Sequence, residues 1–292
     1  MRQFRKIGKI ELSAITDLAR LKASTIIGMV VVLGIVSVTK TLPSWDILLL
    51  AIGTGFLVSA STNTINDILD LEIDILEKPN RPLPEGRITI PQAWFLFVSE
   101  TIFGLILSFF LSIYSFILTG FVSIVSILYS FRLKNYFLFK NILTAFGIAS
   151  AYLVGVFATI ESIPLPILLF FFQIMITVTA FELHKDIADI TGDLKYQKVT
   201  FATRFGAKKA AFIAVSLYIF AFVVFQGILL SSNTTLIIYL WVVDIIGIFA
   251  GFSFLIPILR SQDSETIHWS RKRIMALLGV FVIASIITFI EP

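Results

Sequence analysis

Two groups of carboxylates are the residues in this sequence best suited to chemistry. The first is Asn63, Asn66, Asp67, Asp70 and Asp74, with Glu72 and Glu77 beside it; the second is Glu182, Asp186, Asp189 and Asp193. At 100° per residue, Asn63, Asp67, Asp70 and Asp74 fall within about 60° of one another if the helix continues, and so does the second group. Carboxylates three and four residues apart repel, and a divalent cation removes that repulsion. Asp and Asn oxygens without His or Cys are hard ligands, which favours Mg²⁺ over Zn²⁺. Magnesium takes one or two carboxylates together with water and phosphate oxygens, so two facing acidic stripes fit a diphosphate held through bridging metals. A bare diphosphate facing six carboxylates would be repelled by several kcal/mol per close pair at an effective dielectric of about 20. Metals and the nearby Lys78, Arg81, Arg87, Lys134, Lys185 and Lys198 are needed to reverse that sign. The plain alternative is a set of solvated loop charges. Against it stands the cost of carboxylates at membrane depth, up to about 2.5–3.5 kcal/mol each, seldom kept without a role.

The elements that position these residues follow from composition. Of 292 residues, 57% are hydrophobic and only 14% charged, where a soluble domain carries about 25% charged residues, so the bilayer is the expected solvent. There is no cysteine, which excludes disulfides, thiolate metal sites and cysteine nucleophiles, and two histidines leave little for a histidine-ligated metal. A membrane-spanning helix needs about 20 apolar residues. Nine runs qualify, at about 23–42, 45–66, 92–112, 114–131, 141–160, 164–184, 210–230, 234–256 and 273–290. They predict an all-α, polytopic membrane protein, one membrane-embedded domain over residues 1–292.

Orientation follows from Lys and Arg. With the N-terminus cytoplasmic, every one of the 23 except Lys40 falls in the N-terminal arm or in an inner loop. The inner connections at 67–91, 185–209 and 257–272 are long and polar, whereas outer ones such as Ser112–Tyr114 are short, so function is expected on the cytoplasmic face. Met1 to Arg20 lacks the apolar segment of a cleaved signal peptide. Asp70 and Asp189 lie 119 residues and four helices apart, which puts both at the same membrane face and suggests a parallel internal repeat.

At these residues the sequence resembles the UbiA-type intramembrane prenyltransferase superfamily. The resemblance rests on Asn63-x-x-Asn66-Asp67-x-x-Asp70-x-x-x-Asp74, then Lys78-Pro79-Asn80-Arg81-Pro82-Leu83-Pro84-Glu85-Gly86. Tyr129-Ser130 before Lys134 follows, and then Lys185-Asp186-x-x-Asp189-x-x-Gly192-Asp193 with Lys198 and Thr200. It implies nine helices around a central cavity opening to the cytoplasmic side. It further implies a prenyl diphosphate held through Mg²⁺ by Asn66, Asp67, Asp70, Asp74, Asp186, Asp189 and Asp193, with Asp67, Asp70, Asp189 and Lys134 as catalytic residues. Asn63, Asn66, Arg81, Tyr129, Lys185 and Lys198 are the implied diphosphate or site-closing contacts, with Arg81 anchoring the second loop as a lid. Asn141, preceded by Lys140 where a Gly-Asn pair is common, is carried over more lightly. The Lys78–Pro84 loop and the Lys185–Asp193 block look most like the archaeal digeranylgeranylglyceryl phosphate synthases. These attach a geranylgeranyl chain to geranylgeranylglyceryl phosphate in ether-lipid synthesis. The Glu85 position, often Ser in related loops, departs from the pattern.

Competing readings remain. Chlorophyll synthases and homogentisate prenyltransferases share a similar loop, so an aromatic acceptor is the alternative to a lipid one. An ion-coupled secondary transporter would place its carboxylates near the midplane, whereas these cluster at one face. Nucleic acid is not an expected partner, because the basic excess belongs to the loops. Arg20 reads as an acceptor-phosphate contact or a snorkelling interface arginine. Glu100 and Asp244 are deep acids open to a proton or acceptor role or to an interhelical hydrogen bond. His184 beside the second stripe reads as a base or a structural donor, and Trp94 and Trp269 as interface anchors.

Overall fold

The computed structural model describes residues 11–131, 137–231 and 237–290, and among these every regular element is a helix. Nine are long: α2 (Leu21–Thr39), α3 (Trp45–Leu69), α6 (Ile90–Leu111), α7 (Ile113–Phe131), α8 (Phe137–Phe157), α9 (Leu165–Ala188), α12 (Ala207–Ser231), α13 (Ile237–Arg260) and α14 (Ser264–Phe289). Five are short: α1 (Leu12–Leu18), α4 (Leu71–Glu77), α5 (Pro82–Glu85), α10 (Ile190–Lys195) and α11 (Phe201–Phe205). All five fall in the N-terminal arm or in the two connections, 67–91 and 185–209, that carry the carboxylates.

Seven helices among the described residues are long and apolar enough to cross a membrane: α2, α3, α6, α7, α9, Phe139–Phe157 of α8 and Ala207–Ile228 of α12. The two remaining expected spans are helices as well, but their ends differ from the apolar runs. α14 begins at Ser264 rather than 273, because Asp263 caps it by accepting from the Thr266 amide at 2.8 Å. α13 passes through Pro257 to Arg260, and α9 runs on to Ala188, four residues past its last expected apolar turn.

Each long helix packs on the next in chain order and α14 packs back on α2, closing a ring, while α2 also packs on α8. Glycines set the tightest crossings. A Cβ on Gly155 of α8 would lie 1.9 Å from the Val31 carbonyl of α2, and one on Gly28 of α2 would lie 2.7 Å from the Ile52 carbonyl of α3. Small residues of this kind let backbones approach where no water drives association. The main core, with Val31, Val36, Tyr152, Phe170, Phe171 and Phe225, sits where α2, α8, α9 and α12 meet. Phe95, Val98, Ile102, Ile106, Phe109 and Ile113 stay exposed at helical spacing along α6 and into α7, the pattern of a lipid-facing stripe.

Both acidic stripes run beyond the expected spans at 45–66 and 164–184, and in each the helix is interrupted once before it resumes. α3 ends at Leu69, Asp70 sits at φ −92°, ψ 4°, and α4 starts at Leu71. In the second stripe α9 ends at Ala188, Asp189 sits at φ −95°, ψ 2°, and α10 starts at Ile190. The four-residue hydrogen bonding survives each break. The Asp70 amide donates to Asn66 at 2.9 Å and the Asp74 amide to Asp70 at 2.8 Å, while the Asp189 amide donates to Lys185 at 3.0 Å and the Asp193 amide to Asp189 at 2.9 Å. The carboxylates therefore keep helical spacing across a one-residue kink, and the kink falls on the central carboxylate both times.

Candidate active site

Three side chains are arranged alike in each stripe. Asp67 and Asp74 are buried and Asp70 is half-buried; Asp186 and Asp193 are buried and Asp189 is exposed. Burying a carboxylate demands a partner, and protein cations supply one at the outer positions. Arg81 spans the first stripe, donating from Nη1 to Asp67 Oδ1 at 2.9 Å and also to Asp74 Oδ2. Arg20 adds a second donor to Asp67 Oδ1 at 2.8 Å. In the second stripe Lys140 Nζ lies 2.6 Å from Asp186 Oδ1, and Asn141 Nδ2 donates to Asp186 Oδ2 at 2.9 Å. Lys185 pairs with buried Glu182 at 3.2 Å. The central carboxylates, at the kinks, are the more accessible ones.

Lys198 connects the two stripes. Its ammonium lies 2.7 Å from Glu77 at the end of α4, and it acts on Asp193 of α10 and on Lys78 as well. Burial pushes the Asp193 carboxyl above the usual carboxylate range, against the pull of Lys140 and Lys198. Burial likewise pulls the Lys78 ammonium down, helped by Arg81 beside it. Gln197, at φ 54°, turns the chain so that the Lys198 amide donates to the Asp193 carbonyl at 2.8 Å.

The remaining expected residues take these places. Asn63 donates weakly to the Ala19 carbonyl and to Ser24 Oγ, each at 3.5 Å, at the junction where Arg20 turns the chain through φ 50° between α1 and α2. Asn66 lies among the carboxylates with its Oδ1 buried and unpartnered among the described residues. Tyr129, half-buried on α7, neighbours Lys140, Glu182 and Lys185. Lys134 lies outside the described residues. Lys140, counted in the sequence as a loop charge, is on α8, since that helix begins at Phe137 rather than 141. It and Asn141 are the site residues that the sequence pattern underweights. Glu100 accepts from Thr64 at 2.9 Å between α6 and α3, and His184 Nε2 meets Ser270 Oγ at 3.0 Å between α9 and α14. Both hold helices together. The side chain of Asp244 lies outside the described residues.

The donor set can be tested against a metal. Among the described residues no three carboxylates converge to hold an ion by themselves. All ligands on offer are hard oxygens, and Asn66 Oδ1 is a buried acceptor with nothing to accept from. That fits an ion which takes few protein ligands and completes its shell with water and phosphate, as Mg²⁺ does.

Residues 27–286 match the UbiA prenyltransferase family. The digeranylgeranylglyceryl phosphate synthase of Thermococcus kodakarensis is 31% identical over 281 residues, covering 96% of this chain and 98% of that one. That of Methanosphaera stadtmanae is 32% identical over 213 residues, 73% of this chain and 77% of its own. Among solved structures, one concerning digeranylgeranylglyceryl phosphate synthase in membranes superposes with a TM-score of 0.73 at 26% identity, covering 96% and 99% of the two chains. A UbiA homolog from Archaeoglobus fulgidus bound to GPP and Mg²⁺ has a TM-score of 0.71 at 16% identity, over 94% and 99%; at that identity it bears on the fold.

Proposed function

The chain belongs to the UbiA prenyltransferase family, and from that premise we propose that it makes archaeal ether lipids. In this reading it transfers the geranylgeranyl group of geranylgeranyl diphosphate to the glycerol hydroxyl of geranylgeranylglyceryl phosphate. The reaction class comes with the family, and the acceptor is supported by relatives of that name matching over nearly the whole chain. The observation that carries the site is the pairing of the two kinked stripes: equal spacing, equal backbone angles at Asp70 and Asp189, and Lys198 standing between Glu77 and Asp193.

In mechanism, the diphosphate sits between Asp70 and Asp189, the accessible carboxylates at the two kinks. Bound Mg²⁺, its ligands drawn from Asn66, Asp67, Asp70, Asp74, Asp186, Asp189 and Asp193, supplies the charge that stabilises the leaving group. Arg81, Lys185, Lys198 and Lys134 add positive charge around the diphosphate, and Tyr129 and Asn63 border it. The C1–O bond breaks with its electron pair leaving on the diphosphate. The allylic cation is captured by the acceptor hydroxyl held near it, and the ether forms as that hydroxyl passes its proton to the departing diphosphate. Arg20, whose guanidinium reaches Asp67 from the start of α2, stands on the side where the acceptor phosphate would bind. A water-poor chamber among the helices protects the cation from hydrolysis. The whole chain, 1–292, acts as one domain of the cytoplasmic membrane, N-terminus inside, with the site opening to the cytoplasmic face.

A product assay tests this. Purified protein is given labelled geranylgeranyl diphosphate and Mg²⁺ with either geranylgeranylglyceryl phosphate or a panel of aromatic acids. The expected product is the double-chain ether phosphate, lost on EDTA and restored by Mg²⁺. A product formed only with an aromatic acid overturns the acceptor, and uptake of an ion without diphosphate release overturns the reaction class.

A further inference from the structure

Asp186 is the most enclosed carboxylate of the second stripe, and each of its oxygens already faces a protein donor: Lys140 Nζ at 2.6 Å and Asn141 Nδ2 at 2.9 Å. The same ammonium is the strongest positive influence on Asp193 and also acts with Glu182, so Lys140 serves three of the four acids in that stripe. Its position is built in. Lys140 stands one turn inside α8, with only about a fifth of its side chain exposed. A divalent ion on Asp186 would sit beside this ammonium, and two cations on one buried carboxylate repel more strongly the less water screens them.

Resting on the proposed diphosphate site, we infer that Lys140 is a resident cation that takes the place of one divalent ion in the second stripe. It neutralises Asp186 permanently, holds that stripe together while the site is empty, and lowers by one the number of ions the diphosphate complex must recruit. Asp186 is then a seat for Lys140, and the metal contacts of the second stripe fall to Asp189 and Asp193. Arg81 plays a related part in the first stripe by spanning Asp67 and Asp74, but it reaches them from the connection before the short helix α5, whereas Lys140 stands on the long helix α8.

The test counts ions rather than turnover. Detergent-purified protein is saturated with geranylgeranyl diphosphate, and bound Mn²⁺ per chain is measured from the electron paramagnetic resonance signal of the free ion. Lys140→Met should bind one more Mn²⁺ per chain than the unaltered protein. Lys140→Arg, and Lys140→Met combined with Asp186→Asn, should both return the original count. Equal counts in the unaltered protein and Lys140→Met overturn the inference, as does a folded Lys140→Met that no longer binds Mn²⁺. If Lys140→Met does not fold, a changed count in Lys140→Arg or in the double variant overturns it. An unaltered protein that binds no Mn²⁺ with the diphosphate sinks the proposed site itself, an outcome distinct from all of these.

Discussion

The central carboxylate of each stripe is more exposed than the outer ones, and that difference separates two kinds of mutational effect. Asp70 and Asp189 sit at the kinks with access to a ligand, so Asp70→Ala and Asp189→Ala should each cut turnover at least about a hundredfold while the melting temperature barely moves. A variant that keeps turnover removes its residue from the diphosphate site. Asp193 behaves otherwise. Its carboxyl is raised by burial, so it binds a proton more readily in the folded protein than in the unfolded chain, and stability of the ligand-free protein falls as pH rises through that raised value. Asp193→Asn should therefore raise the melting temperature at neutral pH, flatten that pH dependence, and lower turnover; a lower melting temperature contradicts the burial account. The stripes were legible because acids at three- and four-residue spacing are costly in an apolar chain unless a cation offsets them. Lys140 was not, since a lysine at the start of an apolar run looks the same whether it points to water or back to an aspartate 46 residues away.

Helix positions were readable from the apolar runs, and helix ends were not. Polar residues at the ends of α9 and α14 stay helical because caps and ion pairs satisfy them where apolarity no longer does. Asp263 is one such cap, its carboxyl held down at about 2 by the Ser261 hydroxyl and the Thr266 amide. A group depressed in the folded state stabilises above its unfolded value and loses that contribution only as pH falls through about 2, so α14 should keep its start throughout the working range. Asp263→Ala should lower the melting temperature equally at pH 5 and pH 8. The kinks at Asp70 and Asp189 were hidden because the acidic periodicity runs straight through them. Helix crossings make a sharper test. A methyl at Gly155 would collide with the Val31 carbonyl at 1.9 Å, while one at Gly147 on the same helix meets nothing within 4 Å. Gly155→Ala should destabilise by about 1–3 kcal/mol or more and Gly147→Ala by little, read as thermal melting in detergent; equal effects would mean that the α2–α8 crossing is looser than its geometry.

For the whole molecule, the absence of cysteine from the sequence makes orientation directly measurable. Asn80→Cys, Lys272→Cys and Glu161→Cys are all at exposed positions. An impermeant maleimide applied to sealed right-side-out vesicles should label Glu161→Cys and spare the other two. Labelling of Asn80→Cys and Glu161→Cys from one side would refute the inside placement of the site. The inside placement is proposed because basic residues fall on one set of loops, a whole-chain regularity that does not depend on where any helix ends. What the charge pattern could not convey is the ring, in which α14 returns to α2, since contact between distant helices depends on side-chain fit rather than on hydropathy. The recurrence of one bend at two aspartates 119 residues apart carries its own consequence. Cut in the link between α8 and α9, the polypeptide yields two fragments, one with the Asp70 stripe and the α8 residues Lys140 and Asn141 that hold Asp186, the other with the Asp189 stripe. Neither should turn over alone, and co-expression in one membrane should bring activity back.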